Sequence, residues 1–250
     1  MNTLTRSACT GIVLATVVLA SLPAQAQVIV HGTRQIFPGD QREISVRTEN
    51  TGKRAALVQA WIDDGDKQAT PESSNTPFVL RPPVYRLDPG KTQVMRVLFT
   101  GAELPKDRES IYWLNVLDIP PTPKADEITS GNYLQFSLRT RTKLIYRPKG
   151  LPGDAVNAAQ KVQWRIVQDD GRWMLEATNP SPYYVHFMSL GLRVQGLDHP
   201  ADEVKMVAPM SSQRYVLQGV SQRPSGGNVQ FQYLNDQGGV AAQSVPLTAP

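Results

Sequence analysis

The sequence has one cysteine among 250 residues, Cys9, which lies close to the N-terminus. A disulfide within the chain is therefore excluded, and a zinc or copper site has few ligands to draw on. The three histidines, His31, His186 and His199, are far apart and do not have the spacing of metal ligands. We expect them to be structural or exposed side chains.

Signatures of common enzyme classes are also missing from the sequence. It contains no GxSxG elbow, no glycine-rich phosphate loop and no HExxH zinc motif. Three aspartates, Asp63, Asp64 and Asp66, surround Gly65 in a pattern that resembles part of a calcium loop, but the remaining ligands are missing. A solvated hairpin turn is the favoured interpretation, and no catalytic function is predicted.

Neither sign of charge dominates, because 26 lysines and arginines stand against 22 aspartates and glutamates, a formal net charge of +4. This excess is too small to indicate nucleic-acid binding. The basic run at 139–143 alternates with threonine and could form a nucleic-acid patch, but a solvated strand face is favoured. Asp107 and Glu109 could serve as a general acid and base, yet Arg108 lies between them and favours ion pairing.

An apolar run over residues 11–22 is too short to cross a membrane. It follows Arg6 and precedes small residues at 24 and 26, a pattern typical of a secretory signal peptide. Because Cys9 lies before this run and not after it, a lipoprotein anchor is not predicted. We expect cleavage after Ala26 and export, which leaves 250 − 26 = 224 residues with 26 − 1 = 25 cations against 22 anions.

After this segment the sequence is a succession of short runs bounded by glycine, proline, asparagine and aspartate. These turn residues, and the period of two between them, predict β-strands. The first set of predicted strands lies at 27–37, 41–49, 55–62, 77–86, 91–99, 110–118 and 133–147. The second set lies near 160–168, 171–178, 183–194, 203–208, 212–218, 228–234 and 240–247.

Two domains are predicted from these two sets of strands. Short strands at this density are typical of antiparallel sandwiches of immunoglobulin type. We therefore predict an all-β fold with an N-terminal sandwich at 27–148, a short hinge at 149–155 and a C-terminal sandwich at 156–250. Two domains joined by a short hinge form a cleft, and clefts between domains are common binding sites.

The most informative stretch is YLQFSLRTRTKLIYRP, residues 133–148. A period of two places Leu134, Phe136 and Leu138 on one face, and four cations follow before Pro148 ends the strand. Such a strand could form a sheet edge that pairs with an extended guest, while a cation holds a carboxylate. The alternative is an ordinary core strand with solvated charges. Because the cations are odd-numbered and the apolar row is even-numbered, a twist or a bulge between them is expected.

Five blocks of sequence carry a resemblance. They are LPKDRESIYWLNVLDIP at 104–120, PPVYRLDPG at 82–90, KLIYRP at 143–148, NPSPYY at 179–184 and NDQGG at 235–239. In their order and spacing these blocks resemble the periplasmic pilus-assembly chaperones, the PapD-like family, across nearly the whole of residues 27–250. The resemblance implies two immunoglobulin-like domains in an L shape, a periplasmic location and no enzymatic activity.

The resemblance also implies roles for individual residues. Leu134, Phe136 and Leu138 correspond to the alternating residues of a donor strand, which enter the groove of a pilus subunit that lacks its own last strand. Arg34 and Lys143 correspond to the pair that anchors the subunit's C-terminal carboxylate in the interdomain cleft. A charged cluster that holds the two domains at a fixed angle corresponds to Glu109, Arg147 and Asp236.

Pilus subunits and an outer-membrane usher are the partners that the resemblance implies, without nucleic acid, nucleotide or cofactor. An exposed apolar edge also makes a self-capping homodimer of the free protein plausible. Two alternatives stay open at this point: a pilus subunit or adhesin of β-sandwich fold, and a periplasmic β-sandwich metalloenzyme. Two complete sandwich patterns argue against the first alternative, and the sparse histidines argue against the second.

Overall fold

A computed structural model describes residues 27–122 and 135–247 of the chain. Its N-terminal part contains β1 (Val28–Val30), β2 (Arg34–Pro38), β3 (Glu43–Asn50), β4 (Ala56–Asp63), β5 (Phe78–Arg81), β6 (Val84–Leu87), β7 (Thr92–Phe99), β8 (Ser110–Ile119) and β9 (Leu138–Arg147). Buried and less buried residues alternate along strands such as β3 and β7, because one face of each strand lies in a core.

These strands form a sandwich of two sheets. One sheet has the order β1-β3-β7-β5, and the other has the order β2-β9-β8-β4-β6. A single apolar core lies between them, and its fully buried members include Phe37, Met95, Leu114 and Leu144. Burial of each such side chain contributes roughly 1.5–3 kcal/mol, so this core is the main source of the sandwich's stability.

The predicted strand at 27–37 is two strands in the structure. β1 pairs with β3, whereas β2 pairs with β9 in the other sheet. The chain changes sheets at Gly32, whose φ of +88° is a conformation that favours glycine. The predicted strand at 77–86 is likewise divided into β5 and β6, because Pro82 and Pro83 have no N–H to donate to a ladder.

The C-terminal part contains a 3₁₀ turn (Ala159–Lys161) followed by β10 (Gln163–Asp169), β11 (Arg172–Asn179), β12 (Phe187–Val194), β13 (Leu197–Pro200), β14 (Ser211–Val216), β15 (Asn228–Leu234) and β16 (Val240–Pro246). They form a second sandwich from the sheets β10-β11-β14 and β13-β12-β15-β16. Its core includes Trp164, Tyr215 and Phe231. The prediction of an all-β fold with two sandwiches is confirmed.

Two details of the second sandwich differ from the prediction. Residues 203–208 form no strand and contribute only an isolated bridge between Val207 and Val185. Val207 is the one buried side chain of that segment, so no alternating row holds it in a sheet. β13 was not predicted, because it is a short, mostly exposed edge strand without an apolar row. It is joined to β12 by Gln195 and Gly196, both of which have positive φ.

β9 begins at Leu138, whereas the prediction began at residue 133. Residues 135–137 have no regular structure, and Leu134 lies outside the described residues. β9 pairs with β8 without any shift of register from Leu138 to Tyr146. The expected bulge is therefore absent from this part of β9. Leu138 and Lys143 differ in parity because they lie on opposite faces of the sheet.

Candidate functional site

One side of β9 is open over half of its length. β8 pairs with β9 from Leu138 to Tyr146, but β2 covers the other side only from Lys143 to Arg147. Within the described residues, no strand pairs with that side from 138 to 142. An open sheet edge offers backbone N–H and C=O groups to another extended chain. The short length of β2 thus leaves an unpaired edge on β9.

Exposed apolar side chains lie at the start of this open edge and just before it. Phe136 is 74% exposed and Leu138 is 47% exposed. Phe136 is the most exposed large apolar side chain in the described part of the chain, and Leu134 cannot be placed because it lies outside that part. Exposed apolar groups beside an unpaired edge are typical of an interaction surface.

Two cations mark the point where the open edge ends. Arg34, the first residue of β2, is the register partner of Lys143 in β9, and these two strands are parallel. Arg34 is only 7% exposed. Neither cation forms an ion pair with a carboxylate of the described residues, and the buried Arg34 Nε has no hydrogen-bond partner among them. The pair is therefore a partly buried site with excess positive charge.

Burial makes the charged forms of both cations in this pair less favourable. Burial, followed by the charge of Arg34, lowers the pKa of Lys143 to about 8. Burial also lowers the pKa of Arg34, although the charges of Asp236 and Glu109 oppose this effect. Lys143 is still mostly protonated at neutral pH. An anion bound here would gain from both charges in a setting with little competition from water.

A second set of charges links the two sandwiches. Arg147 Nε donates a hydrogen bond to Glu109 Oε1 at 2.6 Å, and its terminal nitrogens donate to both oxygens of Asp236 at 2.6 and 2.9 Å. Glu109 Oε2 also accepts the backbone N–H of Tyr184 at 2.7 Å. The structure thus brings the three predicted cluster residues together, with Asp236 and Tyr184 belonging to the second sandwich.

Burial and pairing oppose each other at this cluster. Burial alone would lower the pKa of Arg147, but its hydrogen bonds to Asp236 and the charge of Glu109 outweigh burial and raise that pKa. Near the cluster, Gly238 has a φ of +83°, and a Cβ atom added to it would lie 2.5 Å from Thr33 Oγ1. The glycine of the NDQGG block therefore permits close approach of the second sandwich to the residue before Arg34.

The outer face of β9 carries a network that the sequence reasoning missed. Asp63 is 1% exposed and pairs with Arg141, so the expected solvated turn is wrong for this aspartate. The Arg141 guanidinium lies 4.3 Å from the centre of the Trp113 ring, a cation–π contact. Arg139 donates to Asn115 Oδ1 at 2.7 and 2.9 Å. The basic run is thus tied to β4 and β8 instead of being a solvated face.

Other kinds of site find no support in the part of the chain that the structure describes. No group of three or more histidine, cysteine, aspartate or glutamate residues there could hold a metal ion. Over residues 27–122 and 135–247, no helix has the length and apolar character needed to span a membrane.

Comparison with known families assigns both sandwiches. The family described as "Pili and flagellar-assembly chaperone, PapD N-terminal domain" matches residues 27–152, and "Pili assembly chaperone PapD, C-terminal domain" matches residues 157–245. The chain belongs to the PapD-like family of pilus-assembly chaperones. PapD-like proteins are assembly chaperones and not enzymes, so the alternatives of a metalloenzyme and of a pilus subunit or adhesin are set aside.

Individual PapD-like relatives agree with this assignment. The probable fimbrial chaperone YadV of Escherichia coli (strain K12) is 40% identical over 231 residues, which are 92% of this chain and 94% of YadV. Chaperone protein FimB/FhaD of Bordetella pertussis is 40% identical over 233 residues, 91% of each chain. The crystal structure of the YadV chaperone matches with a TM-score of 0.76 and 37% identity, covering 89% of this chain and all of that one.

Proposed function

We propose that this chain is a periplasmic chaperone of the chaperone–usher pathway. It binds newly exported pilus subunits, completes their fold by donor-strand complementation and delivers them to an outer-membrane usher. The names of its relatives, fimbrial chaperones, support the general role. The observation that carries the specific role is the open edge of β9, which ends at the Arg34–Lys143 pair.

The direction of the bound strand follows from the position of this pair. A guest strand on the open edge lies in line with β2 and stops where Arg34 begins. If its C-terminal carboxylate contacts Arg34 and Lys143, the guest runs toward β2 and is therefore parallel to β9. Charge-assisted hydrogen bonds to that carboxylate contribute about 1.5–3 kcal/mol. They also fix the register, and a shift of one residue would turn every side chain of the guest to the other face.

The apolar side chains supply the larger part of the affinity. In this proposal Phe136 and Leu138, with Leu134 before them, fill the groove of a subunit whose sandwich lacks a strand. Each buried side chain of this size contributes about 1.5–3 kcal/mol. Residues 135–137 have no regular structure in the free chain, so ordering them on binding offsets part of that gain.

The remaining features fit the same role. The cluster of Glu109, Arg147 and Asp236 holds the two sandwiches at a fixed angle, so the anchor has a defined shape before a subunit arrives. No nucleotide or cofactor is needed, because exchange for the extension of a neighbouring subunit releases the bound one. Without a subunit, a second copy of this chain can cover Phe136 and Leu138, which predicts a self-capping homodimer.

The test is capture of a pilus subunit of the same organism, co-expressed in the periplasm with the tagged chain. Leu138→Glu places a carboxylate in an apolar groove and should reduce recovered complex at least about tenfold, because burial of an unpaired charge is costly. Leu197→Glu, at a leucine of the second sandwich that is 66% exposed, is the matched control and should capture normally. Equal recovery with both variants would contradict the donor-strand assignment.

A further inference from the structure

His186 is the residue through which the second sandwich contacts the cation pair. It lies directly before β12 and is 3% exposed. Its Nδ1 atom is 2.9 Å from Lys143 Nζ. From the sequence alone, His186 is expected to be a structural or exposed side chain, and no role in the anchor follows from the motif positions.

The protons of this contact can be assigned from the chemistry of the two groups. A charged ammonium has only N–H donors, so His186 Nδ1 must accept the hydrogen bond and the ring hydrogen must lie on Nε2. Burial, followed by the charges of Lys143 and Arg34, lowers the pKa of His186 to about 2, so the ring is neutral. The buried Nε2 atom has no partner among the described residues.

Lys143 needs such an acceptor because of its neighbour. Arg34 lies beside it in register and carries the same charge, and no carboxylate of the described residues pairs with either group. Repulsion favours rotation of the flexible lysine side chain away from Arg34. The other attractive contact of the ammonium is with the ring of Trp113, whose centre is 5.7 Å away. The contact with His186 is at hydrogen-bond distance and is directional, so it sets the direction of the ammonium.

We propose that His186 is a positioning residue of the carboxylate anchor, which holds the Lys143 ammonium beside Arg34 and makes the anchor depend on the placement of the second sandwich. This inference rests on the proposed function and adds to it a third residue, from the other domain. A merely structural histidine would affect stability and all binding equally. A positioning residue affects only binding that uses the carboxylate.

The test uses a synthetic peptide that copies the C-terminal strand of a pilus subunit, made once with a free carboxylate and once as an amide. The ratio of the two dissociation constants measures the anchor alone, and for the wild-type chain we expect about tenfold or more in favour of the acid. His186→Leu removes the hydrogen-bond acceptor. His186→Asn, whose side chain branches at Cγ like that of leucine, keeps an acceptor oxygen near the position of Nδ1. We expect the ratio to fall at least about threefold in the leucine variant and to be largely retained in the asparagine variant.

Controls separate this inference from the proposed function. His199→Phe changes a histidine of the same sandwich that bonds to the Gln218 carbonyl, and it should leave the ratio unchanged. A wild-type ratio near one would overturn the anchor itself and this inference with it. A large wild-type ratio that is unchanged in His186→Leu would overturn the inference alone. If the leucine variant does not fold, nitrogen-15 NMR of the wild-type ring decides: a proton on Nε2 supports the inference, and a proton on Nδ1 overturns it.

Discussion

Replacing Lys143 with methionine should weaken carboxylate recognition strongly and leave the stability of the fold nearly unchanged. The pKa of Lys143 is about 8, compared with 10.5 for a solvated lysine. At about 1.36 kcal/mol per pKa unit this difference corresponds to about 3 kcal/mol, and the partial exposure of the side chain reduces it to about 1–2 kcal/mol. The hydrogen bond to His186 offsets a similar amount. We therefore expect Lys143→Met to change the free energy of unfolding by less than about 1 kcal/mol, which is a shift of a few degrees in thermal midpoint.

The pH dependence of stability has a definite sign. The folded state releases the Lys143 proton near pH 8, whereas the unfolded state keeps it up to 10.5. The cost of the buried charge is therefore fully present below pH 8 and is relieved as the pH rises from 8 to 10.5. Relative to the wild-type chain, the free energy of unfolding of Lys143→Met should be most favourable below pH 8. Above pH 8 the wild-type chain should gain stability relative to the variant.

Arg147→Met is the matched comparison for the stability of Lys143→Met, because Arg147 lies four residues further along β9. Its loss leaves two carboxylates, Glu109 and Asp236, without their cation, and we expect a cost of about 3–5 kcal/mol. Thermal unfolding by circular dichroism and calorimetric titration with acid and amide peptides measure both effects. For Lys143→Met, affinity for the acid peptide should fall about ten- to 150-fold. A loss of stability as large as that of Arg147→Met, or unchanged affinity for the acid peptide, would refute the reasoning.

Three further outcomes are expected. First, a bound carboxylate raises the pKa of Lys143 above about 8, so affinity for the acid peptide should decrease as the pH rises from 8 to 9.5. Affinity for the amide peptide should stay level over the same range. A constant affinity for the acid peptide would count against the anchor. Second, Asp236→Asn should broaden the distribution of interdomain distances in small-angle scattering. The control Asp198→Asn, which removes an exposed ion pair with Arg193, should not broaden it. Identical scattering profiles for the two variants would contradict the proposed role of the interdomain charge cluster. Third, Asp63→Asn should lower stability by about 1–3 kcal/mol at pH 7, an effect that thermal unfolding would measure and a neutral result would disprove. Burial alone would raise the pKa of Asp63, but hydrogen bonds from Arg141 and Asn115 outweigh it, so the difference should vanish as the pH falls below 3.8.

The strands were predictable where one face alternates and turn residues bound the run. β3 and β7 have such patterns, and both appear within two residues of the predicted bounds. The division at Gly32 was not predictable, because an apolar run reads the same whether its two halves pair in one sheet or in two. β13 has no apolar row, so period two could not reveal it.

The candidate site was predictable only in its parts. Alternation predicted an apolar row, of which Leu138 begins β9 and Phe136 lies two residues before it, and the family resemblance indicated the cations. The register that places Arg34 opposite Lys143 joins strands more than a hundred residues apart, and no local pattern contains it. The burial of Asp63 has the same origin, because Arg141 reaches it from a distant part of the chain. Pairings between distant strands depend on the packing of the whole sandwich, so they cannot be predicted from the pattern of residues within one strand.

The turn at Gly32 controls how much of β9 is available to other chains. β2 starts only two residues after this turn, so it covers five residues of β9 and no more. A strand that started earlier would occupy the same edge in the same direction as the proposed guest strand, and pairing within the protein's own sheet would then block that edge. Lengthening the segment between β1 and β2 is thus a route to an autoinhibited variant. Cleavage of the added residues would expose the edge of β9 again, so binding could be switched on by a protease.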